Sequence, residues 1–311
     1  MPDVTILIAT RNRSASLRRC LLSIRPPSNG TLEVIVVDNG SEDNTREEVV
    51  LLTPRLPFDL KYFKEERIGK TFALIEGVKH AAGKIVLFTD DDITFSERWV
   101  DHCLECFKVT SCAGMGGPVI PVFYHPQRRW MSHKSKYQIT APHTWDLGDS
   151  IINLTETGHG KPSGNNMGFL RELFSDKNLL DPRLGLFGGR RINGEDTHIS
   201  SRLIMEGYRI MYWPAAKVFH HIENPKHYTI AHFLKWHYAS GVGNVIRARS
   251  LDPASYRLPE FWLWNEATQH LLKLVLRGLT LNAQACLYHM FRLSVYLGSI
   301  RQMLRVNSCR K

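Results

Sequence analysis

The sequence predicts an α/β fold: a mostly parallel, twisted sheet flanked by helices, with a helical C-terminal extension. Three observations lead there. Apolar runs of strand length alternate with amphipathic, helix-length segments through the first hundred residues. Those runs end in polar clusters rather than in plain turns. Beyond residue 229, apolar residues recur at helical spacing with few breakers.

Residues 4–9 (Val-Thr-Ile-Leu-Ile-Ala) form a continuous apolar run, as expected of a strand buried on both faces. A helical pattern follows over 14–24, with Leu17, Leu21 and Ile24 on one side, until Pro26-Pro27-Ser28-Asn29-Gly30 breaks it. Residues 32–37 read as a second buried strand and 45–52 as a helix, with Asp38-Asn39-Gly40-Ser41 between them. Residues 60–63 suit a third strand, and 71–82 a helix closed by Gly83. A further strand, 85–88, runs into Thr89-Asp90-Asp91-Asp92, and 93–107 reads as a helix. Gly116-Gly117-Pro118 turns into another strand, and Asn193-Gly194-Glu195-Asp196-Thr197 opens a helix carrying Ile199, Leu203 and Ile204. Residues 208–213 and 218–221 are strand-like. The expected division is a sheet domain over 1–228 and a mainly helical region over 229–311, with an acceptor-binding loop within 123–162.

Alternation of this kind implies right-handed crossovers and a parallel sheet, whose ligands bind beyond the carboxyl ends of the strands. Thr10-Arg11, Asp38-Asn39 and Asp90-Asp91-Asp92 all fall at such ends. Three adjacent carboxylates repel one another unless a cation sits among them, and their hard oxygens suit Mg²⁺ or Mn²⁺ holding a diphosphate. The bland alternative is a helix N-cap cluster. Asp38 is either a turn residue or an acceptor for a base or ribose. Gly69-Lys70 lacks a full phosphate-loop pattern. Asp196 either caps its helix or takes a proton as general base. His220-His221 at a strand end suits a metal ligand position or plain packing.

The chain has 311 residues, 43% apolar and 23% charged, which excludes wholesale disorder. Six cysteines are too few for a disulfide scaffold, and Cys103, Cys106 and Cys112 read as buried reduced thiols rather than a zinc site. The first apolar run reads as a strand rather than a signal peptide, and no apolar stretch has spanning length, so a reducing cytoplasm is the expected compartment. Net charge is +10, and residues 229–311 hold eleven lysines and arginines against three acids. That excess, with Trp236, Trp262, Trp264 and an apolar face of Leu271, Leu272, Val275 and Leu279, allows peripheral contact with the membrane's inner face. Packing against the sheet domain or self-association are the alternatives. A nucleic-acid-binding protein would also be basic, but no recognition module is evident and no nucleic-acid partner is expected.

Ile6-Leu7-Ile8-Ala9-Thr10-Arg11-Asn12, Val36-Val37-Asp38-Asn39-Gly40-Ser41, Phe88-Thr89-Asp90-Asp91-Asp92, Gly164-Asn165-Asn166-Met167-Gly168-Phe169 and Gly194-Glu195-Asp196-Thr197 stand in a familiar order. With Pro214, Val218, Phe219 and His220 they resemble family 2 glycosyltransferases of the GT-A fold, over residues 4–221. The resemblance implies a nucleotide-sugar donor, commonly UDP-linked, a saccharide or lipid-linked acceptor, Mg²⁺ or Mn²⁺, and inversion at the sugar carbon. By it Thr10, Arg11 and Asp38 hold the nucleoside, with Gly69, Lys70, Asp90 and Asp91 completing the donor site. Asp92, Asp90 and His220 ligate the metal, and Glu195-Asp196 matches the acid pair whose Asp is the base. Ile75 stands where the family often has Asn, so that donor contact is missing. A sugar-phosphate nucleotidyltransferase would share the sheet, but Thr10-Arg11-Asn12-Arg13-Ser14 lacks its glycine-rich loop.

Overall fold

A computed structural model describes residues 1–131, 137, 139, 144–158, 160–175, 179–187, 190–252 and 261–308. The elements in chain order are β1 (Val4–Thr10), α1 (Ser14–Ser23), β2 (Leu32–Asp38), α2 (Thr45–Leu52), β3 (Asp59–Lys64), α3 (Lys70–His80), β4 (Ile85–Asp90) and β5 (Ile93–Phe95). Then come α4 (Trp99–Thr110), β6 (Gly114–Gly116), β7 (Val119–Phe123), β8 (Ile152–Asn153), α5 (Leu154–Thr157), β9 (Met167–Leu170), β10 (Gly185–Phe187) and β11 (Arg190–Ile192). The last are α6 (Glu195–Met205), β12 (Ile210–Tyr212), β13 (Val218–Ile222), α7 (Ile230–Leu251), α8 (Phe261–Leu279) and α9 (Ala283–Ser308).

Two compact units result: Met1–Val122 with His143–Pro182 and Glu195–His221, and Phe123–Pro142 with Arg183–Gly194 and Ile222–Lys311. The first unit is built on an eight-stranded sheet of order β3-β2-β1-β4-β9-β6-β12-β8. Its first four strands are mutually parallel, and β9 enters antiparallel between β4 and β6. Two apolar layers cover the faces. Leu17, Leu21, Val49 and Trp99 pack with Ile6, Val34 and Leu87 on one, and Ala73, Leu74, Ile199 and Leu203 with Leu7, Ile35 and Phe88 on the other. That double coverage is why β1 and β2 tolerate uninterrupted apolar sequence.

One expected element differs. The stretch 93–107 is not one helix: β5 takes residues 93–95 and α4 starts only at Trp99. The β-branched Ile93-Thr94 suits the antiparallel pairing of β5 with β13, which outweighs the local helical pattern. The acidic triplet therefore ends a strand rather than capping a helix.

The second unit holds α7, α8 and α9, bearing out the helical reading of residues 229–305 where they are described. The backbones of α7 and α9 approach at Gly241 and Gly298, where an added Cβ would lie 1.9 Å from Val295 O and 2.3 Å from Tyr238 O. Leu263 and Ala267 of α8 join Tyr296, Ile300 and Met303 of α9 in one apolar cluster. Among the described residues, no helix is long and apolar enough to cross a membrane. The expected acceptor loop lies partly outside the described residues, at 132–136, 138, 140–143 and 159.

Candidate active site

Strand register gathers the polar clusters. Thr10 pairs with Asp38 across β1 and β2, and Ala9 with Asp90 across β1 and β4, so the three strand ends lie side by side. Antiparallel β9 starts at Met167 opposite Phe88, which brings Gly164-Asn165-Asn166 to the same end. Pairing of His220 with Ile93 sets β13 beside the acidic triplet.

Asp91 and Asp92 are buried, at 4% and 8% exposure. Thr10 Oγ1 donates to Asp91 Oδ2 at 2.7 Å. Arg13 Nη1 bridges the two carboxylates, 2.6 Å from Asp91 Oδ1 and 2.8 Å from Asp92 Oδ2. His220 Nε2 stands 3.5 Å from Asp92 Oδ2. His221 Nε2 pairs instead with Thr94 Oγ1, at 2.9 Å. Asp92 Oδ1 is buried with no hydrogen-bond partner.

These contacts split the acids electrostatically. Burial, reinforced by its acidic neighbours, pushes the Asp91 carboxyl up to about 6 against the pull of Arg13. Burial works on Asp92 the same way, but His220 and then Arg13 outweigh it and hold that carboxyl well below the usual range. Arg13 itself is lifted: burial disfavours its charge, and Asp91 and Asp92 more than compensate.

A second group lies next in line. Lys70 Nζ is 2.5 Å from Asp90 Oδ1 and 3.6 Å from Glu195 Oε1. Burial opposes the Lys70 charge, yet Asp90 and Glu195 raise its pKa. Glu195 is raised too, by burial and then by Asp196, with Lys70 opposing. Asp196, in the first turn of α6, accepts from Gly164 N at 2.9 Å on Oδ2 and from Thr197 N at 2.6 Å on Oδ1. Gly164 suits that position because a Cβ there would sit 3.2 Å from Asp196 Cβ, tighter than ordinary contact.

Asp38 closes the other flank. Ser41 N donates to its Oδ1 at 2.8 Å and Tyr62 OH to its Oδ2 at 2.7 Å. Asn39 pins the loop beyond β3: its Nδ2 donates to the carbonyls of Glu65 and Arg67, and its Oδ1 accepts from Gly69 N at 2.7 Å. Gly69 adopts φ +153°, which its lack of a Cβ permits, and hands the chain into α3 so that Lys70 reaches the acids. Arg11 is exposed.

Thus Thr10, Asp91, Asp92 and His220 meet in one group, Lys70, Asp90 and Glu195 in another, and Asp38 and Asp196 flank them. Sequence reasoning missed Arg13, Tyr62 and Asn165. Arg13 and Tyr62 carry no motif of their own. Asn165 lay inside a motif without a role, and its signal is structural. Its residue is 1% exposed and neither side-chain amide atom has a hydrogen-bond partner, while its carbonyl accepts from Thr89 Oγ1 beside Asp90.

Among the described residues, no group of three or more His, Cys, Asp or Glu side chains is gathered to hold a metal ion. The donors nonetheless fit a divalent cation whose remaining ligands come from substrate. Asp92 offers a bare buried oxygen beside an imidazole, and Mg²⁺ commonly takes one or two carboxylates plus phosphates.

A parallel half joined through β9 to a smaller mixed half, with acids at the strand ends, is the arrangement of the GT-A fold. Solved structures agree on the fold. A mannosyltransferase from Pyrobaculum calidifontis, PcManGT, determined with GDP-Man and Mn²⁺, superposes with a TM-score of 0.62 at 18% identity, covering 98% of this chain and 88% of that one. GalNAc-T7 with UDP, GalNAc and Mn²⁺ gives 0.55 at 17% identity, covering 80% and 51%. The model of glycosyl transferase family 2 matches residues 5–176, and the chain belongs to that family. The succinoglycan biosynthesis protein ExoM of Rhizobium meliloti is 29% identical over 70% of this chain and 65% of its own length. Glycosyltransferase AglE of Haloferax volcanii is 24% identical over 68% and 64%. A poly-β-1,6-N-acetyl-D-glucosamine synthase of Staphylococcus aureus is 28% identical over 70% and 49%. The match thus spans about half to two thirds of these relatives. Membership of glycosyl transferase family 2 is what the resemblance in the sequence implied.

Proposed function

We propose that this enzyme transfers a sugar, with inversion, from a nucleotide-sugar to an acceptor hydroxyl in a divalent-metal-dependent reaction. The donor base we favour is uridine, and the acceptor a saccharide or lipid-linked saccharide in polysaccharide, glycolipid or cell-envelope glycan synthesis. The names of ExoM and the glucosamine-polymer synthase support the polymer class. The observation that carries the reading is the continuous run of acids at one sheet end, from Asp92 through Asp90 to Glu195 and Asp196, with Asp92 Oδ1 unpartnered.

In this reading Asp92 and His220 hold Mg²⁺ or Mn²⁺, and Asp90 contributes if it releases Lys70. The bound ion would neutralise charge developing on the departing diphosphate. Thr10 and Arg13 keep Asp91 and Asp92 in place, and Asp38 with Arg11 faces the nucleoside. Gly69 N is already committed to Asn39, so the Gly69-Lys70 step contributes to the donor site through Lys70. Asp196 is aimed by two backbone N–H groups; Thr197 N and Oγ1 both donate to its Oδ1, so Oδ2, which accepts from Gly164 N, keeps a lone pair for the proton of the attacking hydroxyl. Direct attack with one base requires no covalent sugar–enzyme intermediate, hence inversion.

Thermal-shift screening of nucleotide-sugars with and without Mn²⁺ tests the proposal, since a ligand that binds the folded state raises its midpoint by mass action. One nucleotide-sugar should raise it only with metal, and the anomeric configuration of the product should be opposite to the donor's. Metal-independent binding, or retained configuration, would refute the corresponding part.

A further inference from the structure

Two neighbouring asparagines precede β9, and the fold uses the amide of only one. Asn166 engages its amide fully: Oδ1 accepts from Trp99 Nε1 at 3.0 Å, and Nδ2 donates to the carbonyls of Pro118 and Ala216 at 3.0 and 2.8 Å. Asn165 is as deeply buried, at 1% exposure, yet among the described residues neither atom of its amide has a partner. Its backbone is fixed on both sides. Gly164 N donates to Asp196 Oδ2 at 2.9 Å, the Asn165 carbonyl accepts from Thr89 Oγ1 at 3.0 Å, and Asn166 N closes a turn onto Ser163 O at 2.9 Å. A buried donor and acceptor left unpaired destabilise a fold, so such a group calls for a partner that arrives from outside the chain.

Chemistry and place together select that partner. A side-chain amide offers both an acceptor and donors, so its complement must both give and take a hydrogen bond. Diphosphate oxygens only accept, and a metal ion would use the amide oxygen alone. A hydroxyl does both. Place points to the transferred sugar, and here the inference rests on the metal-dependent transfer proposed above. In that reaction the diphosphate lies at Asp92 and the attacking hydroxyl at Asp196, so the sugar that joins them lies between. Asn165 is tied to both ends, to Asp196 through Gly164 and to the strand end at Asp90 through Thr89.

We infer that Asn165 binds a hydroxyl of the transferred sugar and so helps to set which sugar is accepted. Equilibrium binding separates this role from packing. Titration calorimetry of the full chain with Mn²⁺ compares UDP with UDP-glucose, UDP-galactose and UDP-N-acetylglucosamine, and GDP with GDP-mannose. Asn165→Leu keeps the side chain's size and shape without its polar atoms, and Asn165→Ala removes it. In both variants the bare nucleotide should bind as it does to the native protein. The sugar-bearing form that the native protein prefers should weaken about tenfold, the scale of one or two buried hydrogen bonds. The preference among sugars should narrow correspondingly, because a site built to pair with a hydroxyl discriminates through that pairing. An unchanged ratio between sugar-bearing and bare nucleotide, as when a held water satisfies the amide, overturns the inference. So does an equal loss for both forms, which would mean that the substitution disturbs the nucleotide or metal site instead. If the native protein binds none of these nucleotides, the proposed transfer reaction fails and the inference falls with it.

Discussion

Lys70 Nζ stands 3.6 Å from Glu195 Oε1 while it holds Asp90 Oδ1 at 2.5 Å. One cation at the start of α3 thereby joins the acid ending β4 to the acid opening α6. Without it, Asp90, Glu195 and Asp196 would be like charges in a half-buried cleft. Removing one partner of a buried ion pair leaves the other uncompensated, at about 3–5 kcal/mol when burial is complete. Lys70 is 23% exposed, so Lys70→Met should cost roughly 2 kcal/mol, the lower figure reflecting solvent screening. Denaturant unfolding should show this loss, with Lys70→Arg restoring part of it. Unaltered stability in the methionine variant would mean that water screens the cluster.

Asp196→Asn keeps the size of the side chain and removes the proton acceptor. Transfer should fall by about 10²–10⁴-fold, the usual contribution of a general base. Metal-dependent donor binding should survive. A variant that turns over at the native rate would take Asp196 out of the base role.

Asp92→Asn should abolish the metal-dependent part of the donor's thermal shift while leaving the apoprotein folded. Chelation of divalent ions should do the same to the native enzyme. If Asp92→Asn binds donor as the native protein does, and still requires Mn²⁺, the ion is held elsewhere.

Asp91 gives a pH dependence with a definite sign. Its carboxyl is pushed up to about 6 in the fold, against about 3.9 in an unfolded chain. A raised value means that the protonated form favours folding, so this contribution is complete below about pH 4 and lost as pH climbs through about 6. The stability of the native protein minus that of Asp91→Asn should therefore decline across that window and level off above it. Melting curves in metal-free buffers measure it, and a difference that grows with pH would contradict the assignment.

Asn165→Ala separates packing from binding. A buried polar group without a partner costs about 1–3 kcal/mol, which truncation recovers while leaving a small cavity. The melting temperature should change little, whereas kcat/KM falls because the amide is free for a ligand. A large loss of stability with normal kinetics would make Asn165 a packing residue.

Much of this arrangement was readable in the sequence. Runs such as residues 32–37 admit little but a buried strand, and chain-order rules then put Thr10, Asp38 and Asp90 at one sheet end, where the register pairs Thr10 with Asp38. The split of 93–107 was not readable, because β5 exists only through its pairing with β13, more than a hundred residues later.

What the sequence determined by itself was the alternation of strand and helix, the family's acids in order, and the basic helical end. Those properties are local: they depend on side-chain periodicity and on residues within a few positions of one another. Tertiary structure alone decided which cation meets which acid. Arg13 lies 78 residues from Asp91, and Asn165 gains significance only from the partners its amide lacks. It also decided which face of α8 is left bare, since an apolar stripe reads the same whether a neighbour covers it or not. Such pairings follow from three-dimensional packing, in which burial strengthens every charge and exposes every missing partner.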